Sequence, residues 1–374
     1  MQIRQKIPLY CYDTVYCACA LIDPAVKIRG NLKKHLTIGT IPTKQKGAVH
    51  NMAKTIKRLL AGLLAILLLF AAPASSFEAA AASMPGLNAK ITEKNILKIL
   101  NRYDTDGAYI LKKRIQAGDN VLSWFTGGRR IIEGIDTAVH EETHAYSFQR
   151  AHWNAYFVGK KKTIHVPVTT VYYTKKMASS IPARLRTFRY NTYVAKPTAN
   201  LASNIEGAYG LLNEFMAYRS GMNTTISLYP YYVAQKAGWE SWRVFLNSCE
   251  NDKLAYAEFK YYILHYLSYA KKHYPKVYKG ILNNKKFCQA YRTLESSYVK
   301  LINTYEKDLK KIQKLMKKQG RTMEITESTI WISTGPYSKT GMGRYTANYK
   351  KLQKEIKKSA YTSIHKKLVA KGKG

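Results

Sequence analysis

One pentapeptide, His140-Glu-Glu-Thr-His144, constrains this chain more than any other short segment. On an α-helix, residues i and i+4 lie on one face, so His140 and His144 point in the same direction and can hold one zinc ion. Glu141 then lies beside the metal, where its carboxylate can accept a proton from a bound water molecule. The alternative is an amphipathic helix that carries two solvated histidines, and the flanking sequence bears on that choice.

The flanking sequence predicts the helix that a zinc site requires here. No proline occurs from Arg129 to Arg150, and no glycine follows Gly134 in that range. Apolar residues recur at spacings of three, four and seven, which is the period of a helix: Ile132, Ile135, Val139 and Tyr146. Upstream, a Gly-Gly pair at 127–128 predicts a turn, and residues 120–125 predict a short strand.

A catalytic zinc ion takes three protein ligands and leaves one position for water. The next histidine, His152, follows eight residues after His144 without an intervening glycine, and the residues between them continue the helix. A glutamate on a separate helix is the other solution, and residues 204–218 offer Glu206 and Glu214. Apolar residues surround Glu214, where an ionised carboxylate is costly unless it is paired or binds a metal. We predict Glu214 as the third ligand, with Glu206 as the alternative.

Two motifs make residues 115–220 similar to gluzincins, the thermolysin-like branch of the zincin metallopeptidases. The order of strand, turn and His-Glu-x-x-His helix is that of zincins, and Asn213-Glu214-x-x-Ala217 resembles the stretch that carries their third ligand. The resemblance implies a zinc peptidase in which Glu141 is the general base. Thermolysin-like enzymes have an Asp four residues after the ligand glutamate, whereas this chain has Tyr218. We predict Tyr218 as the oxyanion-stabilising residue; further candidates are Tyr209, Tyr231 and Tyr232.

An uninterrupted apolar run of 14 residues, Leu59–Ala72, precedes this region. Basic residues come before the run and small residues follow it, which is typical of a secretory signal peptide. We assign the signal peptide to residues 52–82, starting near Met52, with an uncleaved membrane anchor as the alternative. Residues 1–51 are then an upstream extension outside the fold. The protein is expected to be secreted or held at the cell surface, with membrane contact only through the signal segment.

Two further features describe the exported part of the chain. Cys249 and Cys288 are the cysteines that remain after residue 82, and they can form one disulfide or stay as separate buried thiols. Residues 83–374 carry 50 Lys and Arg against 20 Asp and Glu, a net charge of +30. Such a charge favours anionic surroundings, for example cell-envelope polymers. Export and the lack of a compact nucleic-acid-binding motif argue against nucleic acid as the partner.

The pattern along the chain predicts an α+β fold in two parts. Residues 83–234 form a zincin-like catalytic domain with a small sheet and the active-site helix, and residues 235–374 form a mainly helical domain. Alternating apolar residues at 164–172 and 188–194 predict two strands of a hairpin. Helical stripes end at Pro275 and at Gly320. A turn is expected at 104–107, a short strand at 329–333 and one last helix at 345–369.

These features together predict a secreted, monomeric zinc metallopeptidase that acts on a protein or peptide substrate. Two other functions fit the same sequence. One is a non-catalytic envelope-binding protein that retains the zincin fold, and the other is a zinc amidase that acts on cell-wall peptides.

Overall fold

A computed structural model of the chain describes residues 84–126 and 130–373. The predicted upstream extension (1–51), the signal peptide (52–82) and the turn at 127–128 therefore lie outside the described residues. Residues Met84–Gly374 form one compact unit, and the predicted domain boundary between 234 and 235 falls inside it. Within the two described ranges, no helix is both long enough and apolar enough to span a membrane.

The α+β class is confirmed, with helices predominating and two small antiparallel sheets. The helices of the described residues are α1 (Glu93–Tyr103), α2 (Thr105–Gln116), α3 (Ile131–Ala151), α4 (Ala202–Ile205), α5 (Ala208–Ser227), α6 (Tyr229–Ala234), α7 (Trp239–His273), α8 (Pro275–Asn283), α9 (Lys285–Lys318), α10 (Thr346–Ile356) and α11 (Ser359–Lys371). The first sheet pairs β1 (Ala155–Gly159) with β2 (Lys162–His165), and the second has the order β3 (Met323–Ile325), β4 (Thr329–Gly335) and β5 (Ser338–Gly343).

The helix predicted around the pentapeptide is confirmed as α3. Glu133 stabilises its first turn, because its side chain accepts a hydrogen bond from the backbone N–H of Arg130, the residue before the helix (3.1 Å). The helix continues through the residues after His144 and ends at His152, which has a left-handed backbone conformation (φ 42°). Its apolar stripe is buried, as the periodicity predicts.

Helix α5 lies at the centre of the fold, where it packs against α3, α7 and α9. Almost every residue from Ala208 to Ile226 is buried, including the polar Asn213 and Glu214. A helix that is buried all round has no solvent-facing side, and neighbouring helices therefore cover its polar groups as well as its apolar ones. This placement puts Glu214 on a helix that directly contacts α3.

The strand predicted at 120–125 is wrong, because residues Val121–Phe125 form a 3₁₀-helix. Val121 and Phe125 are buried, and this short element packs against α3. Trp124 Nε1 donates a hydrogen bond to Glu142 Oε1 of α3 (2.9 Å). The apolar side chains and the Trp124 N–H of this segment therefore find their partners on α3 and not on a neighbouring strand. The zincin-like order of a strand before the histidine helix is not present among the described residues.

The predicted hairpin of 164–172 and 188–194 is also wrong. Strand β2 ends at His165 and pairs with β1, while Asn191–Ala195 form a π-helix. The alternation reflects packing on helices. The ring of Tyr172 stacks on that of Tyr266 in α7 at 4.0 Å between centroids.

A smaller correction concerns the turn predicted at 104–107. Only Asp104 departs from helical geometry, and Thr105 already begins α2. The buried Asp104 carboxylate accepts hydrogen bonds from Asn223 Nδ2 (2.9 Å) and Thr224 Oγ1 (2.6 Å) of α5. This link between the α1–α2 junction and the central helix takes the place of a solvated turn.

The predictions for the second half are largely confirmed. Helix α7 ends at His273, two residues before Pro275, and α9 ends at Lys318 before Gly320, whose φ is +72°. The strand expected at 329–333 is β4. The single last helix is wrong, because Lys358 is extended (φ −63°, ψ 148°) and separates α10 from α11. This break lets α10 pack on α7 while α11 packs on α9.

The two cysteines of the described residues are both free and buried, Cys249 in α7 and Cys288 in α9. The disulfide is therefore not formed, and the alternative of two separate thiols is confirmed. Burial raises the pKa of both thiols, which keeps them in the protonated, unreactive form.

Gly210 allows α4 and α5 to approach closely, because a Cβ at this position would overlap the backbone of Ala202. We predict that Gly210→Ala lowers the free energy of unfolding by about 1–3 kcal/mol, since a clash with backbone cannot relax by a rotamer change. Gly343→Ala is the control, because a Cβ there meets nothing within 4 Å, and we expect a change within about 0.5 kcal/mol. Urea unfolding measures both, and equal stabilities would contradict the close approach.

Candidate metal centre

Helices α3 and α5 bring the three predicted ligands together. His140, His144 and Glu214 each offer one ligand atom, and these atoms all lie within 4.8 Å of one another. The distance from His144 Nε2 to Glu214 Oε2 is 3.4 Å. Two ligands of a tetrahedral zinc ion, each bound at ~2.1 Å, lie ~3.4 Å apart. The alternative ligand, Glu206, is not part of this cluster.

The donor set fits zinc. Two imidazole nitrogens and one carboxylate oxygen are the protein ligands of many catalytic zinc sites, which keep a fourth position for water. His144 and Glu214 are buried, whereas His140 and Glu141 are half-buried. The cluster is therefore held inside the protein on the side of His144 and Glu214 and is partly accessible on the side of His140 and Glu141.

Charge and burial act differently on the two histidines. Burial lowers the pKa of His140 well below its usual value, and the nearby His144 and Arg189 lower it further. Burial also lowers the pKa of His144, but the adjacent Glu214 carboxylate outweighs this and raises it to about 9. Burial therefore favours the neutral form of His140, which is the form that binds metals, while the Glu214 carboxylate favours the protonated form of His144.

The Asn213 side chain orients His144. Its Nδ2 donates hydrogen bonds to Ser147 Oγ (2.9 Å) and to the Trp153 carbonyl oxygen (2.7 Å). Because both of these partners accept, the amide oxygen faces His144 Nδ1, 2.5 Å away. Nδ1 therefore donates a hydrogen bond to this oxygen, and Nε2 points to Glu214. Such a bond to the second ring nitrogen fixes the tautomer and orientation of a metal-binding histidine.

Glu141 and Glu142 face different surroundings. Burial raises the pKa of Glu141 to about 7. The charge of His144 lowers this pKa and the charge of Glu214 raises it, so the Glu141 carboxylate lies close to both candidate ligands. Glu142 is turned away and accepts a hydrogen bond from Trp124. The first glutamate of the pentapeptide is thus the one beside the cluster, as the spacing predicts.

Tyr218 lies against His140, with their ring centroids 4.4 Å apart and an interplanar angle of 81°. Its hydroxyl accepts a hydrogen bond from Arg189 Nε (2.9 Å). The fully buried Arg189 also donates to Glu258 (2.7 Å) and to Asn251 (2.7 Å) of α7. Ring packing therefore restrains His140 at the position where thermolysin-like enzymes use an aspartate, and α7 supports that ring through Arg189.

Sequence reasoning missed Tyr193, a half-buried residue of the π-helix. Its hydroxyl lies 3.4 Å from that of Tyr218. Burial raises the pKa of Tyr193 well above its usual value, and the negative charge of Glu214 adds to this effect. Tyr193 therefore lies next to Tyr218 and close enough to Glu214 to respond to its charge. No local signal separates it from the other tyrosines, since the chain has 30 of them.

The other predicted tyrosines have partners elsewhere. The Tyr209 hydroxyl bonds with Thr169 Oγ1 (2.8 Å) and Asn284 Nδ2 (3.0 Å). The Tyr231 hydroxyl donates to the carbonyl oxygen of Pro85 (2.8 Å), and the Tyr232 ring packs against Trp242. None of these contacts involves the three ligands.

Comparison with known protein families, with characterised proteins and with solved structures finds no match to this chain.

We predict that Asn213→Ala lowers the affinity for zinc by roughly 10- to 100-fold, because His144 loses the partner that fixes its tautomer. Ser147→Ala is the matched control, since it removes one acceptor of the Asn213 amide but leaves the bond to His144 in place. Titration against a chromogenic chelator measures both affinities. Equal loss in the two variants would show that Asn213 acts through packing and not through His144.

Proposed function

We propose that this protein is a zinc-dependent peptidase whose centre is His140, His144 and Glu214, with Glu141 as general base. The observation that carries the proposal is the meeting of two imidazoles and one carboxylate from separate helices, with His144 Nε2 oriented towards the cluster by Asn213. Zinc bound there would polarise the scissile carbonyl and acidify a bound water molecule.

The role of Glu141 follows from its place beside the ligands. Its carboxylate takes the proton of the attacking water and passes it to the leaving amine. A general base works best when its pKa lies near the working pH. Burial raises the pKa of Glu141 to about 7, and the positive charge of a bound zinc ion would lower it from there. Glu141 is half-buried, so its carboxylate remains partly accessible to solvent.

Two tyrosines have different roles, one in positioning a ligand and the other in stabilising the oxyanion. The Tyr218 hydroxyl accepts from Arg189 and its ring packs on His140, so Tyr218 positions that ligand. Tyr193 is half-buried, and its O–H is the better donor to a developing oxyanion. The π-helix that carries Tyr193 is a form of backbone found frequently at functional sites.

The resemblance to gluzincins covers the candidate ligands and does not extend to the sheet. Asn213-Glu214 on a second helix matches that branch, which supports a gluzincin-like centre. The sheet differs, since β1 and β2 follow the histidine helix in the described residues whereas zincins have a strand before it. A zincin-like catalytic domain is therefore proposed on the strength of α3 and α5 alone.

We predict that Glu141→Gln lowers kcat for peptide cleavage by at least about 100-fold, because the general base is lost, while zinc content stays at one ion per chain. Glu206→Gln is the control and should keep both activity and zinc, since Glu206 is outside the cluster. Cleavage of a peptide library by the zinc-loaded protein measures activity. If Glu141→Gln cleaves as well as wild type, the mechanism is wrong.

We predict that Tyr193→Phe lowers kcat by roughly 100-fold with little change in KM, because one donor to the oxyanion is removed. Tyr173→Phe, a change at an exposed tyrosine, should have no effect. Steady-state kinetics on a cleaved peptide separates the two parameters. A rise in KM with unchanged kcat would assign Tyr193 to ground-state binding instead.

The basic surface favours an amidase acting on cell-wall peptides as the second candidate. Exposed lysines without an ion partner among the described residues occur along α9, for example Lys307, Lys314 and Lys318. Peptidoglycan fragments incubated with the zinc-loaded protein test this candidate.

A purified protein that holds no zinc and melts unchanged in chelator would favour the non-catalytic, envelope-binding function.

A further inference from the structure

The positive charge of the chain is concentrated away from the segment that supplies the metal ligands. Residues 285–374 hold 22 Lys and Arg against 6 Asp and Glu, a net charge of +16. Residues 83–284 are more than twice as long and hold 28 against 14, a net charge of +14. Charge of one sign that is gathered in one region attracts a partner of the opposite sign to that region.

Helix α9 carries the densest part of this charge. It has seven lysines from Lys300 to Lys318, and all seven are exposed. At 3.6 residues per turn, five of them fall within a sector of ~60° that lies opposite the buried side of the helix. We refer to these five residues as the lysine row: Lys300, Lys307, Lys311, Lys314 and Lys318. At 1.5 Å per residue, the row is ~27 Å long.

The acidic side chains of this stretch leave the row largely unneutralised. Glu306 lies to one side of the helix and pairs with Lys253 of α7. Asp308 is buried and accepts a hydrogen bond from Lys311 (2.8 Å). The other four lysines of the row have no ion-pair partner in the described part of the chain. Four adjacent positive charges therefore face solvent along one line.

The apolar side of α9 is already covered by the fold. It packs against α5 and α7, and its large side chains, for example Tyr298, Tyr305 and Ile312, are buried. A helix that lies on a membrane surface inserts an apolar face into the lipid, and α9 has no such face left to insert. The row offers charge without an apolar anchor, which favours a soluble anionic chain over a lipid surface.

The row also lacks the groups that recognise nucleic-acid bases. The exposed residues between positions 300 and 318 include no aromatic residue and no arginine. Proteins bind single strands by stacking bases on aromatic side chains, and arginine is the commonest reader of guanine in a duplex. Lysine binds a phosphate as a point charge and needs no planar partner. These features fit a phosphate-bearing chain that has no bases.

We propose that the lysine row binds a linear phosphodiester polymer without bases, such as poly(glycerol phosphate), laid along α9. Successive lysines of the row are ~5–10 Å apart along the helix axis, so a polymer parallel to the helix places phosphates beside several of them at once. Linked contacts of this kind bind more tightly than any single one, because each further contact is intramolecular. The site is separate from the metal ligands and goes beyond the proposed peptidase function.

The test measures binding of the full-length protein to immobilised poly(glycerol phosphate) by biolayer interferometry, with dextran as the uncharged reference. We expect binding at about 50 mM salt that weakens by at least roughly 10-fold at about 200 mM, because phosphate contacts release counterions. Binding no stronger than that to dextran at the lower salt concentration overturns the proposal.

Two variants with equal net charge separate the row from the overall charge. The first variant combines Lys300→Gln, Lys307→Gln, Lys314→Gln and Lys318→Gln. Glutamine keeps the helix propensity of lysine, so we expect an unchanged Tm and an affinity at least roughly 10-fold weaker, since four phosphate contacts are lost.

The matched control removes the same number of charges at exposed positions of α7 and α8. It combines Lys271→Gln, Lys272→Gln, Lys276→Gln and Lys279→Gln. Its affinity should stay within roughly 3-fold of wild type, because salt screens charges that are distant from the bound polymer. An equal loss in both variants would show that net charge, and not the row, binds the polymer, and it would overturn the proposal.

Two competing ligands test the class of partner. They are vesicles of phosphatidylcholine and phosphatidylglycerol in equal parts, and a thymidine oligonucleotide. Tighter binding of wild type to either ligand than to poly(glycerol phosphate), at equal phosphate concentration, would overturn the base-free polymer as the occupant. All binding is measured in chelator and needs no turnover, so failure of the lysine row leaves the peptidase proposal standing, and the reverse also holds.

Discussion

The buried amide of Asn213 is the interaction on which the candidate centre depends. It joins α3 to α5 by bonding His144 and Ser147, and it holds the Trp153 carbonyl at the end of α3. A buried amide is costly unless its hydrogen-bonding groups are satisfied, and only this crossing of the two helices satisfies them. The same bonds place Glu214, the next residue, against His144. The same hydrogen bonds of Asn213 therefore accompany the burial of α5, position Glu214 and orient the His144 ring.

Support for the other histidine comes from farther away in the sequence. Tyr218 packs on His140, Arg189 bonds Tyr218, and Glu258 of α7 pairs with Arg189 at 2.7 Å. A charged pair that is fully buried is strongly destabilising when one partner is removed, so this chain of contacts ties the half of the protein after residue 235 to the centre. Helix α7 of the second half thus supports the candidate ligand His140 through Arg189 and Tyr218.

Apolar periodicity predicts the long helices of this protein correctly but not its short segments. Helix α3, helices α7 and α9 and strand β4 follow from apolar spacing together with Pro275 and Gly320, because long stripes have one consistent buried face. The strands predicted at 120–125, 164–172 and 188–194 failed where short apolar segments pack on helices. Trp124 bonds a side chain of α3 and Tyr172 stacks on Tyr266, and these tertiary contacts override an alternating pattern of a few residues.

By itself the sequence determined the identity of the ligand candidates, the helix that carries His140 and His144, and the role available to Glu141, since these depend on residues within one or two helical turns. Only the tertiary structure decided that Glu214 and not Glu206 meets the histidines, that Tyr193 lies next to Tyr218, and that the two cysteines remain apart. The physical reason is that these relations join residues from separate elements. Their distances are set by how α3, α5 and α7 pack, and no local pattern of side chains encodes that packing.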